Sequence, residues 1–575
     1  KSALTQEASV FNNGWSALAN LAYKPSNNHS VSVLFMPNMT GTNRLRNSQT
    51  TVGLDGLFPL NVSQFYEERK QFIYQFKYEG FIPSWKTKIE ANASFTDGSS
   101  NAPDFKTFTY YKKQDGYQVD LTESGTFRYF RNLDEDIFDS QLSGELPIGE
   151  KPGLSRKLKL GGSYTRNDRA YRQYNYEVKY DNTTNNFTLP DNDVSAFLDI
   201  STFGISQNNQ GLLILDRYYQ RNENPADRTF GYYNVYAGFV MTDYAVSSKL
   251  RVTGGLRIEQ ADIFTDVFLY DSLGYAPNDP RRQYSGEIFL ANPGKLNELS
   301  LLPSIGIIYK LNAFDDPEVF NVRVNYGRSV ARPSIRELSD VVVFDYELQD
   351  FVFGNSSLKM VQADNYDLRL EKYLESGNNW SVSVFYKNFK NHIELLNTNQ
   401  GYTWQNVDKS YSAGVELEAK RKIFKKLEAL ANITLVKSQT EYVLSRLEVV
   451  NGIKTFIPED TVSRSMFGQA PYVFNAILNY RLDSLALDLS VSYNIQGRKL
   501  VITSADGTPD IFEMPRHMVD FKANKRFGNH VSLSLRIQNI LNQSTKRTYF
   551  GDGYEQDYDA YRFGTTYLLG LTYKL

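Results

Sequence analysis

Three features of the sequence predict an all-β chain folded as one large antiparallel up-and-down β-barrel that spans a membrane. Strand-length segments alternate apolar and polar residues. The connections between them alternate short and long. No window of about 18 uncharged apolar residues offers a transmembrane helix. The alternation is cleanest over residues 366–387. Tyr366, Leu368 and Leu370 share one face, with Asp367, Arg369 and Glu371 on the other. After the turn Glu375-Ser376-Gly377-Asn378, Trp380, Val382, Val384 and Tyr386 alternate with Ser381, Ser383, Phe385 and Lys387. A half-apolar, half-charged strand fits either a sandwich with one solvated face or a barrel with lipid outside and water within. The extent of the pattern decides between them.

The first strand carries Trp15, Ala17, Ala19, Leu21 and Tyr23 on one face, turns at Pro25-Ser26-Asn27-Asn28 and returns through Val31, Val33 and Phe35. A polar connection over 38–61 precedes a strand over 72–78, a turn at Ile82-Pro83-Ser84, and a return with Thr87, Ile89, Ala91 and Phe95 opposite Lys88, Glu90, Asn92 and Ser94. Residues 105–133 read either as one loop or as an extra hairpin. Leu158, Leu160 and Tyr164 mark the next strand. The connection 169–229 far exceeds the ~12–15 residues usual for a structureless loop, which points to a functional segment. Tyr233, Val235 and Phe239 lead to Leu250, Val252, Leu256 and Ile258, which alternate with Arg251, Thr253, Arg257 and Glu259. Ile305, Ile307 and Tyr309 pair with Phe320, Val322, Val324 and Tyr326; Val415 and Leu417 with Ile433 and Leu435; Phe474 and Leu478 with Leu489 and Val491. Phe521 and Ala523 answer Leu533 and Leu535, and the chain closes on Tyr567, Leu569, Leu571 and Tyr573.

This gives about 19 strands of roughly 9–13 residues, the length that crosses a bilayer at a tilt. Short and long connections in strict alternation mark tight periplasmic turns and long extracellular loops. Residues 1–575 therefore read as a single outer-membrane barrel domain. The first and last strands both run toward the tight-turn side. An even barrel then needs an odd number of strands upstream, and three would make a total near ~22. Lys1 opens no signal peptide, so the sequence reads as a mature or partial chain, with a plug and the first strands absent.

Composition narrows the function classes. The absence of cysteine removes disulfide frameworks and thiolate chemistry, and a net charge of −2 gives no footprint for nucleic acid. Aromatic residues make up 14%, with 40 Tyr against 4 Trp, which suits interfacial girdles and adhesive loops. His29, His392, His517 and His530 do not share metal-ligand spacing, and no zinc-protease, P-loop or nucleophile-elbow motif occurs. The sequence implies no enzyme, cofactor or metal.

The run Tyr326-Gly327-Arg328-Ser329-Val330-Ala331-Arg332-Pro333-Ser334-Ile335-Arg336-Glu337-Leu338 resembles the barrel of TonB-dependent outer-membrane receptors. Gly354-Asn355-Ser356-Ser357-Leu358, Asn365-Tyr366-Asp367-Leu368, the segment 385–394, Gly414-Val415-Glu416-Leu417-Glu418-Ala419 and Leu535-Arg536-Ile537-Gln538-Asn539-Ile540-Leu541-Asn542 continue the resemblance in order, and Tyr573-Lys574-Leu575 is similar to an assembly signal. Lys359-Met360-Val361 departs from the family's Lys-Pro-Glu, and no plug or energy-coupling box precedes residue 15. The resemblance implies a receptor that captures a solute with its extracellular loops and imports it with energy from an inner-membrane motor. Its partners would be outer-membrane lipid, an N-terminal plug and a TonB-type coupling protein, with room for a surface lipoprotein or other subunits. The alternative is a non-transporting structural or assembly and secretion subunit on the same barrel. A passive porin would need an inward-folded loop and ~16–18 strands.

Two groups of residues are candidates for function. Loop aromatics Tyr218, Tyr219, Tyr346, Trp404, Tyr554 and Tyr558 offer rigid surfaces with polar neighbours for ligand. Arg251, Arg257, Arg323, Arg369, Glu371 and Glu416 fall on the polar strand faces, toward the lumen or a plug. The ordinary role of such charges is a solvated wall, since an exposed pair contributes only ~0–1 kcal/mol. Asp191, Asp193 and Asp199, and Asp552, Asp557 and Asp559, are oxygen-rich but lack a calcium-site spacing.

Overall fold

The computed structural model describes residues 4–574 except 51–57, 114–115, 121–125, 150–153, 181–185, 189–202, 208–210, 216, 223–226, 268–292, 313–315, 317, 340, 346–349, 399–400, 451–452, 505–508 and 552–553. The wall is built from β1 (Leu4–Ser16, continued by Ala19–Ser26), β2 (His29–Thr50), β3 (Phe58–Ile82), β4 (Thr87–Lys113), β5 (Phe127–Pro147) and β6 (Arg156–Tyr180). It continues through β7 (Arg228–Ala245), β8 (Leu250–Val267), β9 (Gly294–Lys310), β10 (Val319–Ala331), β11 (Val361–Tyr373), β12 (Asn379–Thr398) and β13 (Gly401–Phe424). It ends with β14 (Leu427–Val450), β15 (Tyr472–Leu482), β16 (Leu487–Gln496), β17 (Met518–Phe527), β18 (Val531–Gln538) and β19 (Thr566–Tyr573). Each pairs antiparallel with the next in sequence. The predicted architecture and strand number therefore hold. β1 and β19 both run toward the short-turn rim, and among the described residues no pairing joins them, so they stand as two free edges of like direction.

The outer face is apolar because nothing in the protein covers it. Val324, Leu368 and Val384 lie in register on β10, β11 and β12 and are 47%, 50% and 47% exposed. In water that would be a costly patch; against hydrocarbon it is the favoured surface. Aromatic rows edge this band. Tyr326, Tyr366, Tyr386 and Tyr411 follow one another across β10–β13 at ring separations of 5.0, 6.3 and 6.1 Å. Phe35, Tyr74 and Phe95 do so across β2–β4, and Tyr164 stacks on Tyr236 at 4.8 Å. Amphipathic rings at such rows suit the lipid–water boundary.

Strand length departs from expectation. β3, β4 and β6 run for 25, 27 and 25 residues, about twice what crosses hydrocarbon. Lipid-facing alternation stops at the girdle, but the hydrogen-bond ladder does not, since each strand still has neighbours to pair with above it. Two connections shrink as a result. Most of 38–61 belongs to β2 and β3, and the long 169–229 loop starts only after Tyr180, so Tyr171, Tyr174 and Tyr176 are strand residues. In the ambiguous 105–133 segment, Gly116–Asp120 folds back on the end of β4 and adds no wall strand.

The packed core lies inside the long-loop mouth. After β10 the chain enters the lumen as a four-residue helix, α1 (Ile335–Leu338), followed by the hairpin Val342–Asp345/Asp350–Phe353. α1 starts where it does because Ser334 and Glu337 form a reciprocal capping box, with Ser334 Oγ accepting from the Glu337 N–H and Glu337 Oε2 from the Ser334 N–H. Ile335 and Leu338 then bury among Val235, Ala261, Ile263 and Leu296, the inward residues of β7, β8 and β9.

Candidate functional site

The segment 332–360 forms a strap that bridges the mouth. Its root is held by Arg332, which donates to Glu259 and to the Tyr233 hydroxyl at 3.2 Å, with Arg332 and Glu259 side chains only 12% and 10% exposed. On one side of the hairpin, Phe344 packs on Phe105 and Tyr129 of β4 and β5 at ring separations of 6.0 and 6.3 Å. Arg131 reinforces this contact. It donates to the Phe344 carbonyl at 3.1 Å and lies over the Phe105 and Tyr129 rings at 5.1 and 4.9 Å. On the other side, Val352 and Phe353 pair parallel with Tyr402 and Thr403 of β13. Val352 and Tyr402 share an apolar cluster with Ile502 and Ile511, from the connection after β16. Asn355 Nδ2 donates to the Trp404 carbonyl at 2.8 Å, and the Lys359 N–H to Asn406 at 2.7 Å. One hairpin thus touches walls that lie on either side of strands β6–β12.

Two glycines permit this approach. A Cβ on Gly354 would collide with the Ser339 carbonyl. Gly401 has φ +121°, and a Cβ there would come within 2.5 Å of the Phe351 carbonyl. Beside the strap lies a chamber of about 660 Å³, lined by inward residues of β2–β7 and by Ile335, Arg336, Val341 and Val343. Arg69, Arg131 and Arg169 face it together with Glu67 and Glu135. A volume of this size suits a ligand of drug-like dimensions.

Below the mouth the predicted lumen charges form pairs. Glu371, 3% exposed, accepts from Arg323 at 2.6 Å, from Asn321 at 3.2 Å and from Arg369 at 3.0 Å. Arg369 also donates to Glu418 at 2.8 Å and to Ser383 at 3.0 Å. Arg257 donates to Glu259 at 2.5 Å and to Ser163, and Arg251 donates to Asp243 at 2.6 Å. Glu416 sits between Ser383 and Thr434 in the ladder and makes no ion pair among the described residues.

The aromatic candidates do not converge. Trp404 lies at the strap, against the apolar cluster around α1. Tyr558 is edge-on to Tyr549 at 5.3 Å, and Tyr549 packs on the Val352–Tyr402 cluster at the strap's hairpin. Tyr219 belongs to Arg217–Asn222, a strand added to the top of β6, where its hydroxyl accepts from Arg128 at 2.9 Å and its ring stacks on Phe203 at 4.8 Å. Tyr218 is its half-buried neighbour. Tyr346 and the Tyr554 side chain lie outside the described residues, as do Asp191, Asp193, Asp199 and Asp552. Asp557 and Asp559 pair with Lys546 and Arg547, and no group of acids and histidines among the described residues is arranged to hold a metal ion.

Two further ion pairs fasten the mouth, and sequence reading missed both. Asp104 accepts both arms of Arg128 at 2.9 and 2.8 Å. Burial raises the Asp104 pKa, but Arg128 and Lys106 outweigh it and hold the carboxyl below its usual range. Glu394, 1% exposed, accepts from Arg464 at 2.9 Å, Thr440 at 3.3 Å and the Phe467 N–H at 3.3 Å. Burial likewise pushes its pKa up, and His392 and Arg464 bring it below the usual value. The strap itself had one local signal, the Ser334…Glu337 capping box inside the segment 326–338.

An antiparallel wall of this width, girdled by aromatic rows and lined with paired charges, defines an outer-membrane β-barrel of the receptor and transporter class. The family model described as TonB dependent receptor-like, beta-barrel matches residues 9–540. The chain belongs to the TonB-dependent receptor barrel family. It is not an enzyme, and its place is the outer membrane. Among solved structures it is similar to the siderophore receptor PiuA from Acinetobacter baumannii at 13% identity, covering 99% of this chain and 81% of that one, with a TM-score of 0.59. The copper transporter OprC matches at 11% identity over 100% of this chain and 80% of its own, with a TM-score of 0.56. The ferric-catecholate import receptor Fiu from K12 E. coli matches at 12% over 95% and 78%, with a TM-score of 0.53. At these identities the likeness is one of fold. No functionally curated sequence matches the chain.

Proposed function

We propose that this barrel serves an energised importer. A solute is captured in the chamber beside the strap, and a plug carrying a TonB coupling box admits it to the periplasm. The observation that carries this reading is the chamber at the mouth of a wide, charge-lined lumen. Without a plug such a lumen would be an open hole, so family membership and lumen width together favour one. The two free edges of like direction fit the same reading, because antiparallel closure between β1 and β19 takes an odd number of further strands. Three would bring the barrel near ~22, the size of plugged transporters. The solutes named for similar folds are siderophores, ferric catecholates and copper, and a metal chelate is the first cargo to test.

The test is the intact mass and N-terminal sequence of the protein isolated from outer membrane. A mass well above 65.9 kDa, with a plug and coupling box ahead of Lys1, supports the importer. A mature chain starting near Lys1 overturns it in favour of a structural or secretion subunit closed by a partner chain.

A further inference from the structure

The strap is more than a loop resting on the mouth. It is anchored at its root by the Arg332–Glu259 pair and the α1 cluster, at one wall by Phe344 against Phe105 and Tyr129, and at the opposite wall by the pairing with Tyr402 and Thr403. Each anchor seats on buried residues, and they draw on strands far apart in the pairing order. A segment held at one end swings; a segment held at both walls and at its root does not. The space left for a solute on the β2–β7 side is the chamber of about 660 Å³, bounded by the strap residues Ile335, Arg336, Val341 and Val343.

We propose that the strap is the size-determining element of the receptor. It is a fixed bar across the outer mouth that limits entry on the chamber side and excludes from it solutes too bulky for that chamber. The strap residues that face the chamber, Ile335, Arg336, Val341 and Val343, set the limit, and the Phe344 and Val352 contacts hold them in place. The chamber sets paired charges on the wall (Arg69 with Glu67, Arg169 with Glu135) against the apolar strap residues Ile335, Val341 and Val343, so the admitted cargo is a compact molecule with both polar and apolar surface, not a folded protein or long polymer. The inference rests on the receptor reading, but concerns only entry from outside.

Residues 1–575 contain no cysteine, so a thiol introduced among them is the barrel's single labelling site, read on the isolated protein after reaction. The experiment places Thr96→Cys, on the chamber wall, in the full-length protein on intact cells. It compares labelling by N-ethylmaleimide with labelling by a maleimide carrying a long polyethylene glycol chain. Leu213→Cys, 72% exposed, is the control that must react with both reagents in every background. With the strap intact the bulky reagent is expected to lag by about tenfold or more at position 96, the protection a closed local structure gives. Replacing residues 342–353 by a short Gly-Ser link should remove most of that lag. Phe344→Ala, which loosens one anchor and leaves the wall untouched, should remove part of it and guards against a loop deletion that fails to fold.

The proposal is overturned if the bulky reagent enters equally with the strap in place. It is overturned equally if the ratio at position 96 is unchanged by both strap variants, including the case where that position never reacts. Labelling does not depend on energy coupling. Failure of import with the size ratio preserved would therefore count against the importer and leave the bar standing, while normal import with no size ratio would do the reverse.

Discussion

Leu338→Ala is the sharpest perturbation of the strap. The Leu338 side chain is 0% exposed, packed with Ile335 against Val235, Ile263 and Leu296. Truncation removes about three buried carbons, worth ~2.4 kcal/mol at ~0.8 kcal/mol each. The seat is rigid, because its walls are ladder strands and the Leu338 backbone presses on Gly294, where even a Cβ would collide. Little collapse can fill the void, so the total falls in the ~2–5 kcal/mol range of such truncations. That free energy belongs to the strap alone. Among the described residues α1 donates no hydrogen bond to the wall ladder, so the strands should not feel it. Hydrogen exchange in detergent micelles separates the two. Amides of 335–354 are expected to exchange at least about 30-fold faster, the equivalent of ~2 kcal/mol at 1.4 kcal/mol per decade. Amides of β7, β8 and β9 should change by less than about twofold. Unchanged strap exchange, or a uniform rise across the wall, would refute the picture of a separately anchored bar.

Three other outcomes follow from the same geometry. Glu371→Gln leaves Arg323 and Arg369 sharing a lumen wall without their common carboxylate. It should lower barrel stability by about 1–3 kcal/mol, seen as a lower temperature of the heat-dependent gel shift, while Glu416→Gln, which breaks no ion pair, should leave that temperature in place. Gly401→Ala forces a Cβ onto a φ of +121° and against Phe351, so it should cost ~1–3 kcal/mol locally and expose the β12–β13 tip to protease. The Glu394–Arg464 contact should hold through mild acid. Since the folded Glu394 pKa is depressed, its stabilisation is complete above the ordinary Glu value of about 4.3 and is lost only as pH falls through the lower folded value. Tryptic cleavage near Arg464 between pH 7 and pH 5 would contradict this.

The lipid-facing half of the fold was legible because lipid imposes a period of two on every strand it touches. Leu368 between Asp367 and Arg369 announces its face without any knowledge of its partners. The tall rims were not legible. Above the girdle both faces of β4 and β6 meet water or protein, so their apolar alternation fades while the ladder continues. Lumen pairs were half legible. Arg257–Glu259 and Arg369–Glu371 lie two residues apart on one face and are visible in the chain. Arg323–Glu371 and Arg332–Glu259 depend on register or on the path of the strap, which no local pattern encodes. The loop aromatics illustrate the same limit. Trp404 and Tyr558 reach the two ends of the strap's wall contacts, while Tyr219 sits apart on the top of β6, and no local pattern tells them apart.

The strap was the least legible feature for a reason that also constrains how it forms. Its apolar residues Ile335, Leu338, Phe344 and Val352 follow no sustained period, because one helical turn seats Ile335 and Leu338 on β7–β9 while Phe344 and Val352 meet two other walls. Every anchor is distant in sequence. Phe344 meets Phe105, Leu338 meets Ala261, and Val352 meets Tyr402. None of these seats exists until β4, β8 and β13 stand in one wall. Closing loops of this length costs entropy before any contact returns it, so the strap can dock only onto an assembled barrel. An inward-folded loop was the mark expected of a passive porin, yet here it appears in a receptor barrel of nineteen described wall strands. A loop in the lumen is thus not diagnostic of passive flow. What matters is whether the passage below the loop is closed, and in the importer reading that closure falls to the plug, while the strap shapes only the outer mouth.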